Sequence, residues 1–433
     1  MRDYLILAIV FSGVPISFFK PYIGILYWAW ISFMNPHRYA WGIAEGFPVA
    51  LLVAVSTILG YIFSKEKRFP QINITVLLLL ALWIQFFHTT FFSLNPQNSF
   101  SQLIEINKIL IMSLITLSLI YSKIRFEILF FVVSISIGLL GLKGGIWVLS
   151  GGKGMVWGPG QSFLADNNDF ALALNMILPM LFFQAKNVTY KWFKLFLYTL
   201  FIFSIISIIF TFSRGGFLGL ITVLLLIMMK TRRSKYIILV FIITITGYLS
   251  APQKYIDRIL TIETSTSEET ADGSVRGRFN AWHFAFNLAL DHPFTGGGFD
   301  TFTPELFIKY APDPYDFHDA HSIFFEILAE QGFIGLFLFL ALLSSTYILL
   351  HRIRIIAMQN THMLWMVDYT KMFQISLLAY IVNGLTLGRA YFDLQYYLII
   401  GTLILNNIIN LYFLKNNNIS VEYTEVEEST TSF

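Results

Sequence analysis

Histidines and aspartates gather where a long polar stretch of the chain meets an apolar one. The run Asp316 to Leu336, DFHDAHSIFFEILAEQGFIGL, places two histidines and two aspartates directly before a lipid-type helix. Titratable groups at such a junction are costly and usually mark a reaction site or a pathway. His321 begins the helical pattern, which makes it a candidate base or hydrogen-bond donor at the mouth of the span. An interfacial capping histidine is the alternative.

The same cluster has a second interpretation as a metal site. Histidine and aspartate side chains bind metal ions, but four of them within six consecutive positions are also typical of a solvated turn. We therefore expect no metal and no cofactor, and a metal cluster is the alternative for these four residues: Asp316, His318, Asp319 and His321.

Three arginines are candidates for binding an anion. Arg276 and Arg278 lie upstream in the same polar stretch, in VRGRFNAW, with Trp282 one helical turn beyond Arg278. A guanidinium fork suits a diphosphate, because it offers several fixed donors and keeps its charge. Arg214, in FTFSRGGFLGL, stands between two apolar stretches beside two glycines, so it must snorkel or bind an anion.

A polar segment also opens one apolar stretch, in ADNNDFALALNMILP from Ala165 to Pro179. Helix capping is the simple interpretation of its side chains, and binding of sugar hydroxyls is the other. The candidate contacts for a sugar or an acceptor are Asn167, Asn168, Trp282, His318 and Asp319.

The rest of the chain is composed for a bilayer. Hydrophobic residues make up 56% and charged residues 13%, against roughly 45–50% and 25% in soluble domains. The apolar blocks are about 20 residues long and lack the alternation of a membrane barrel, which predicts an all-α, polytopic helical bundle of about 12 spans. The predicted spans are Tyr4–Phe33 (one broken or two short, split at Lys20 and Pro21), Phe47–Phe63, Ile74–Phe92, Ile104–Tyr121, Ile128–Leu149, Phe163–Phe183, Phe193–Phe212, Gly215–Met229, Tyr236–Leu249, Phe333–Leu350, Met372–Leu387 and Leu394–Leu414.

Basic residues predict the orientation of these spans. Lysine and arginine concentrate in alternate connections, as the positive-inside rule requires of cytoplasmic loops. We therefore expect a transmembrane bundle over 1–250, a large periplasmic loop with the catalytic residues over 251–322, further transmembrane helices over 323–414, and a cytoplasmic tail over 415–433. The acidic end of that tail, Glu422 to Glu428, is predicted to be a disordered solvated segment.

Composition excludes several classes of protein. The 29 basic and 26 acidic residues leave no basic excess for nucleic acid. The chain has no cysteine, so disulfides and cysteine nucleophiles are absent. It also has no GxxxxGK[ST] run, the usual basis of an ATP-driven pump. A gradient or an activated substrate must supply the energy.

Several blocks resemble a known family. VRGRFNAW, DHPFTGGGF and DAHSIFFEILAEQGFIGL look like signature blocks of the O-antigen ligase and polymerase superfamily. FKPYIGILYWAW, MNPHRYAWG, GLKGGIWVLSGGKGMVWGP and the DNNDFALAL run resemble the exosortase-associated O-glycosylation ligases within it.

The resemblance implies a helical membrane glycosyltransferase of the C-type architecture, in the bacterial inner membrane with its active site facing the periplasm. Such enzymes move a glycan from undecaprenyl diphosphate to an acceptor hydroxyl, on a protein or the lipid A core, with inversion and without metal. By the match, Arg278 and His321 are catalytic, Arg214 and Arg278 bind the diphosphate, and Arg276 is a neighbouring candidate. A repeat-unit polymerase is the main alternative, and a lipid-linked sugar transporter is a more distant one.

Overall fold

The structure is a computed structural model, and it describes residues 2–430 except 40, 41, 43, 45, 67, 69 and 232–272. Within these residues every regular element is a helix, which confirms the all-α prediction. The predicted span Tyr236–Leu249 and the first part of the predicted loop lie outside the described residues. The α-helices are α1 Arg2–Phe19, α2 Pro21–Met34, α3 Val49–Phe63, α4 Ile74–Phe91, α5 Pro96–Leu119, α6 Lys123–Leu149, α7 Asn167–Asn187, α8 Lys191–Phe210, α9 Arg214–Thr231, α10 Gly273–Asp291, α11 Pro304–Tyr310, α12 Ile323–Met358, α13 Leu364–Gly384 and α14 Asp393–Thr430.

Apolar length identifies the helices that can cross a membrane. Among the described helices, eight are long and apolar enough: α4 to α9, α12 and the part of α14 up to Leu414. Helices α1 and α3 are also apolar but shorter, and they are not among the eight. The first apolar stretch forms two helices that meet at Lys20, because Pro21 lacks the amide hydrogen that would continue α1 and instead opens α2. The chain is therefore a multi-pass membrane protein.

Helix α7 forms the centre of the bundle. It packs against α6, α8, α9 and α13, and nearly all of its residues are buried. This environment explains why its sequence is apolar on every face. Its polar side chains bond to neighbouring helices: Asn175 donates to the Gly216 carbonyl at 2.8 Å, and Gln184 accepts from the Ser134 hydroxyl at 2.6 Å.

Basic side chains lie together at one end of this bundle. Arg125 pairs with Glu66 at 2.9 Å, and Lys186 pairs with Asp368 at 2.8 Å. Consecutive helices run in opposite directions, so the connections α4–α5, α6–α7, α8–α9 and α13–α14 lie at the opposite end. Which end faces the cytoplasm remains a prediction.

Helix α12 is broken near its start. Gly332 has φ 67° and ψ −171°, so the helix interrupts its own hydrogen bonding there. The glycine run before α11 replaces those bonds: the Gly297 amide donates to the Ala329 carbonyl at 2.8 Å, and the Gly298 amide donates to the Glu330 carbonyl at 3.0 Å. The segment DHPFTGGGF therefore docks against the broken helix.

Several helix ends differ from the sequence prediction. Helices α5 and α13 begin at Pro96 and Leu364, each eight residues before the expected span. Helix α12 begins at Ile323, ten residues before the expected span, because the short segment ahead of the Gly332 break is also helical. Helix α14 continues to Thr430, where a disordered tail was expected. No glycine or proline between 415 and 430 interrupts the helix, and the assignment of this tail to the cytoplasm remains a prediction.

Candidate active site

Arg214 and Arg278 line the same cavity. This cavity has a volume of about 250 Å³, and Asn167 and Asn168 also line it. Arg214 is the first residue of α9, and Arg278 lies in the second turn of α10. The fold thus brings together two arginines that lie on either side of the undescribed residues 232–272.

Glycines position Arg214. A Cβ atom on Gly216 would lie 2.6 Å from the Ala171 Cβ, and one on Gly215 would lie 2.2 Å from the Thr386 hydroxyl oxygen. Larger side chains would therefore push the start of α9 away from α7 and from the α13–α14 connection. The Ser213 hydroxyl accepts a bond from the Gly216 amide at 3.0 Å and so closes the first turn.

Neither guanidinium group has a counter-charge among the residues that the structure describes. Among the described residues, neither Arg214 nor Arg278 forms an ion pair, and the buried Nε atom of Arg278 has no hydrogen-bond partner. Burial, followed by the nearby charge of Arg214, lowers the pKa of Arg278. Two close, unneutralised guanidinium groups form a site that favours an anion with several oxygen atoms.

His321 lies near Arg278 and lines a second cavity. Its backbone has φ 42°, in the left-handed region that residues with a side chain rarely adopt. Burial, and next the charge of Arg278, lower the pKa of His321, whereas Asp319 raises it. With its pKa below the usual value of 6.5, the imidazole is mostly neutral at pH 7 and can accept a proton.

Trp282 holds the residue before His321. Its indole N–H donates to the Ala320 carbonyl at 2.8 Å. The indole ring also stacks on Phe325 of α12, with 4.8 Å between ring centroids. Trp282 lines neither cavity, so the structure gives it a positioning contact. A sugar contact by Trp282 remains a prediction.

The second cavity has a volume of about 700 Å³, and Asn168 lines both cavities. The two spaces are therefore neighbours. The second cavity is lined by Asn98, Ser101, Gln102, Asp166, Asn168, Asp169, Asp300, Phe302, Asp319, Ala320, His321, Glu326, Glu330, Leu387, Gly388, Arg389 and Tyr391.

The asparagines at the start of α7 have defined partners. Asp166 caps the helix by accepting a bond from the Asn168 amide at 2.8 Å, so the capping interpretation of this segment is confirmed. The Asn167 side chain donates to the Thr211 carbonyl at 2.8 Å and so connects α7 to the α8–α9 turn. Because both asparagines also line the arginine cavity, a ligand there would meet their amide groups.

Sequence reasoning missed Arg389, whose side chain is 46% exposed but pairs with the buried carboxylate of Asp169. Its Nε donates to Asp169 Oδ1 at 2.7 Å, and its Nη2 bonds the other carboxylate oxygen. The neighbouring Ala390 amide donates to Glu326 Oε2 at 2.8 Å. The α13–α14 connection thus joins the first turn of α7 to the first turn of α12. The signal was available, because Gly388 and Arg389 stand between apolar stretches as Arg214 does.

The structure does not bring Arg276 to the arginine cavity. Arg276 points to the surface and pairs with Asp313 at 3.3 Å. His318 bonds Asp316 at 2.9 Å, and its ring packs over Gly277, where a Cβ atom would lie 2.1 Å from the ring. The glycine between the two arginines is therefore required by this packing. Diphosphate binding by Arg276 and sugar binding by His318 remain predictions without a contact to either cavity.

The four ligand-type residues before α12 do not converge. Asp316 and His318 pair with each other, whereas Asp319 and His321 line the larger cavity. In the part of the chain that the structure describes, no three histidine or acidic side chains are arranged to hold a metal ion.

Comparison with known families agrees with this geometry. Residues 199–340 match the family described as O-antigen ligase, and residues 1–189 match a family of unknown function (DUF5935). No curated protein matches the chain. Arg214, Arg278 and His321 all lie within the first matched region, whereas Asn167 and Asn168 lie within the second.

The fold and the matched region define a polytopic membrane enzyme of glycosyl transfer. The match over residues 199–340 supports the assignment of this region to the O-antigen ligase and polymerase superfamily. Its assignment to the exosortase-associated subgroup remains a prediction.

Proposed function

We propose that this protein is a glycan ligase. It transfers an oligosaccharide or polysaccharide from undecaprenyl diphosphate to an acceptor hydroxyl on the periplasmic face of the inner membrane, with inversion and without a metal ion. The acceptor is a protein hydroxyl or the lipid A core. The observation that carries the proposal is the shared cavity of Arg214 and Arg278 next to His321.

The arginine pair suits the leaving group of this reaction. When the bond between the sugar C1 and the diphosphate oxygen breaks, negative charge builds on the lipid diphosphate. Fixed guanidinium groups stabilise that charge, the role that a divalent cation has in other transferases. Neither arginine forms an ion pair with a described carboxylate, so both are available to bind the ligand.

His321 suits the acceptor side. A neutral imidazole takes the proton of the acceptor hydroxyl while the hydroxyl oxygen forms the new bond to C1. Positioned bases of this kind contribute about 10²- to 10⁴-fold in rate. The left-handed backbone at His321 and the Trp282 bond to Ala320 hold the imidazole at the cavity rim.

The location of the site favours the outer face. The site lies at the end of the bundle opposite to the basic connections, which the positive-inside rule assigns to the cytoplasm. A transporter would place its polar site near the bilayer midplane, between repeated halves. The position of both cavities at one end supports a transferase.

The test is a deletion strain, with glycans measured on protein, on lipopolysaccharide and on the carrier lipid. A ligase predicts that glycan disappears from one acceptor pool while long chains remain on undecaprenyl diphosphate. A polymerase would leave single repeat units on the acceptor. Unchanged acceptor pools would overturn the proposal.

A further inference from the structure

Carboxyl groups dominate the wall of the larger cavity. Six carboxyl side chains face a single guanidinium, that of Arg389, which is already paired with Asp169. The six are Asp166, Asp169, Asp300, Asp319, Glu326 and Glu330. The neighbouring arginine cavity has the opposite charge, so the site separates a cationic half from an acidic half.

One of these carboxyl groups, that of Glu330, is only partly hydrogen-bonded. Glu330 is only 5% exposed, and its Oε1 accepts a bond from the Asp300 amide at 2.8 Å. Its Oε2 is buried and forms no hydrogen bond of ordinary geometry with a described residue, although the Tyr391 hydroxyl lies close to this carboxyl group. An unsatisfied buried oxygen costs free energy that a bound donor group would recover. Glu330 lines the cavity, so a ligand there can supply that donor.

The opposite wall offers neutral polar groups. The first turns of α5 contribute the side chains of Asn98, Ser101 and Gln102. Asn98 donates to Asp300 Oδ2 at 2.6 Å, which links this wall to the acidic one. Amide, hydroxyl and carboxyl groups together are suited to the alternating donors and acceptors of sugar hydroxyls. The cavity volume of about 700 Å³ lies within the usual range of ligand sites.

Charge determines which sugars this wall accepts. A sugar hydroxyl donates to a carboxylate, whereas the carboxylate of a uronic acid or a sugar phosphate meets like charge. Like charges brought together in a partly buried site repel each other strongly. An acidic sugar would also be attracted to the arginine cavity, where the diphosphate of the donor binds.

We propose that the larger cavity is a sugar subsite that takes hydroxyl-rich sugars without an acid group and discriminates against uronic acids and phosphorylated sugars. This inference rests on the proposed function and names its substrate class. The sugar belongs either to the donor glycan or to a glycan acceptor.

The experiment compares binding to the purified protein in nanodiscs. The lipid probes are undecaprenyl diphosphate, undecaprenyl diphosphate glucose and its glucuronic acid counterpart, which differs only in the oxidised C6. The free probes are cellotriose and its uronate counterpart, tested alone and in competition with the glucose lipid. We expect the neutral member of a pair to bind about tenfold tighter or more. Competition assigns the subsite to the donor, and binding without competition assigns it to the acceptor.

Variants connect the preference to the wall. Asp300→Asn, which removes a charge from this wall, should reduce the neutral-over-acidic ratio severalfold. Asp319→Asn, at an exposed position of the same cavity, provides a second measurement if Asp300→Asn fails to accumulate. Glu305→Gln removes an exposed carboxylate outside the cavity and should leave the ratio unchanged.

Two failures are distinguishable in this design. If neither the lipid pair nor the free pair shows a preference for the neutral member, the sugar subsite is wrong. If undecaprenyl diphosphate itself does not bind, the proposed function is wrong.

Discussion

Arg276 and Arg278 are separated by one residue and have opposite environments. Arg278 lines the small cavity with Arg214, whereas Arg276 lies at the surface against Asp313. Residues two positions apart on an α-helix lie roughly 200° apart around its axis. The sequence predicted a loop here and gave both arginines one role. The helix that begins at Gly273 separates them.

The guanidinium shape of Arg278 should matter beyond its charge. Arg278→Lys keeps one positive charge but loses the fork that binds two oxygens. A charged hydrogen bond contributes about 1.5–3 kcal/mol, so we expect the transfer rate to fall about tenfold or more, and further with Arg278→Ala. Glycan transfer in a complemented deletion strain measures this change, with protein levels determined in parallel.

Arg276→Lys is the matched control for Arg278→Lys. It makes the same chemical change on the same helix, outside the cavity, and should keep the rate within about twofold. If Arg278→Lys transfers at the parental rate, or if its loss only follows lower accumulation, Arg278 is not catalytic. An equal loss in both variants would extend the predicted role to Arg276.

The charge of Asp319 should control the pH dependence of transfer. The imidazole of His321 must be neutral to accept a proton, so the rate falls as the pH drops through its pKa. The Asp319 carboxylate raises that pKa, because it stabilises the protonated ring. Asp319→Asn should therefore move the acidic limb of the pH–rate profile to lower pH.

The pH–rate profiles of the parent protein and Asp319→Asn test this expectation. The comparison uses the position of the limb and not the absolute rate, because Asp319 also lines the cavity. A limb that stays in place, or moves to higher pH, would mean that His321 is not the titrating base.

Single residues were predictable from the sequence only where their local context is unusual. Arg214 beside two glycines and His321 before a span both have such a context. The pair of Arg389 and Asp169 joins residues that are 220 positions apart, and no local spacing encodes that contact. The burial of Glu330 also depends on the docking of distant glycines, so its role required the structure.

At the scale of elements, the break in α12 is the feature that places the site. The glycine run docks on that break, while the residues before it carry Glu326 and Glu330 into the cavity wall. Gln85 of α4 donates to the Gln331 carbonyl at 3.1 Å and to the Phe294 carbonyl at 2.7 Å. The break is therefore satisfied by surrounding bonds and is a stable part of the fold.

Gly332→Ala should destabilise this break. Its φ of 67° lies in the left-handed region, and an added Cβ atom would lie 2.7 Å from the Pro293 carbonyl oxygen. With ψ −171°, this backbone conformation is essentially restricted to glycine and alone costs about 1–3 kcal/mol for a residue with a side chain. We expect a lower unfolding temperature in detergent, measured by loss of the monodisperse peak after heating.

Gly160→Ala is the control, because nothing lies within 4 Å of the position of its Cβ atom and its φ is not positive. It should keep the parental unfolding temperature. An unchanged temperature for Gly332→Ala would show that the break tolerates a side chain and does not define the position of α12.

The sequence predicted most elements well because apolar blocks of bilayer length are a strong signal. It predicted their ends less well, at α5, α12, α13 and α14. The start of α12 depends on the docked glycine run, which is a tertiary contact. The sequence predicted a loop where the structure has helix α10, because α10 is stabilised by packing against α12.

At the scale of the molecule, charge divides the bundle into two ends. The basic connections bond to one another at one end, and both cavities lie at the other. Positive-inside placement then predicts the orientation of the whole protein. The orientation determines whether a periplasmic donor can reach the site.

Cysteine labelling tests this orientation across a single helix. The chain has no cysteine, so labelling has no background. Tyr315→Cys, at a 94% exposed position before α12, should react with an impermeant thiol reagent on spheroplasts. Gln359→Cys, at the other end of α12, should react only after lysis. The reverse pattern would place the site in the cytoplasm.

The central claim is that Arg214 and Arg278 form the site for a lipid diphosphate. Its most direct test is the affinity of the purified protein for undecaprenyl diphosphate and for undecaprenyl monophosphate, in excess chelator. We predict that the diphosphate binds more tightly than the monophosphate without metal. Arg214→Gln and Arg278→Gln should each weaken binding of the diphosphate about tenfold or more, whereas Arg276→Gln should bind it with nearly the parental affinity. Equal affinity in all four proteins, or binding that requires an added divalent ion, would contradict the claim.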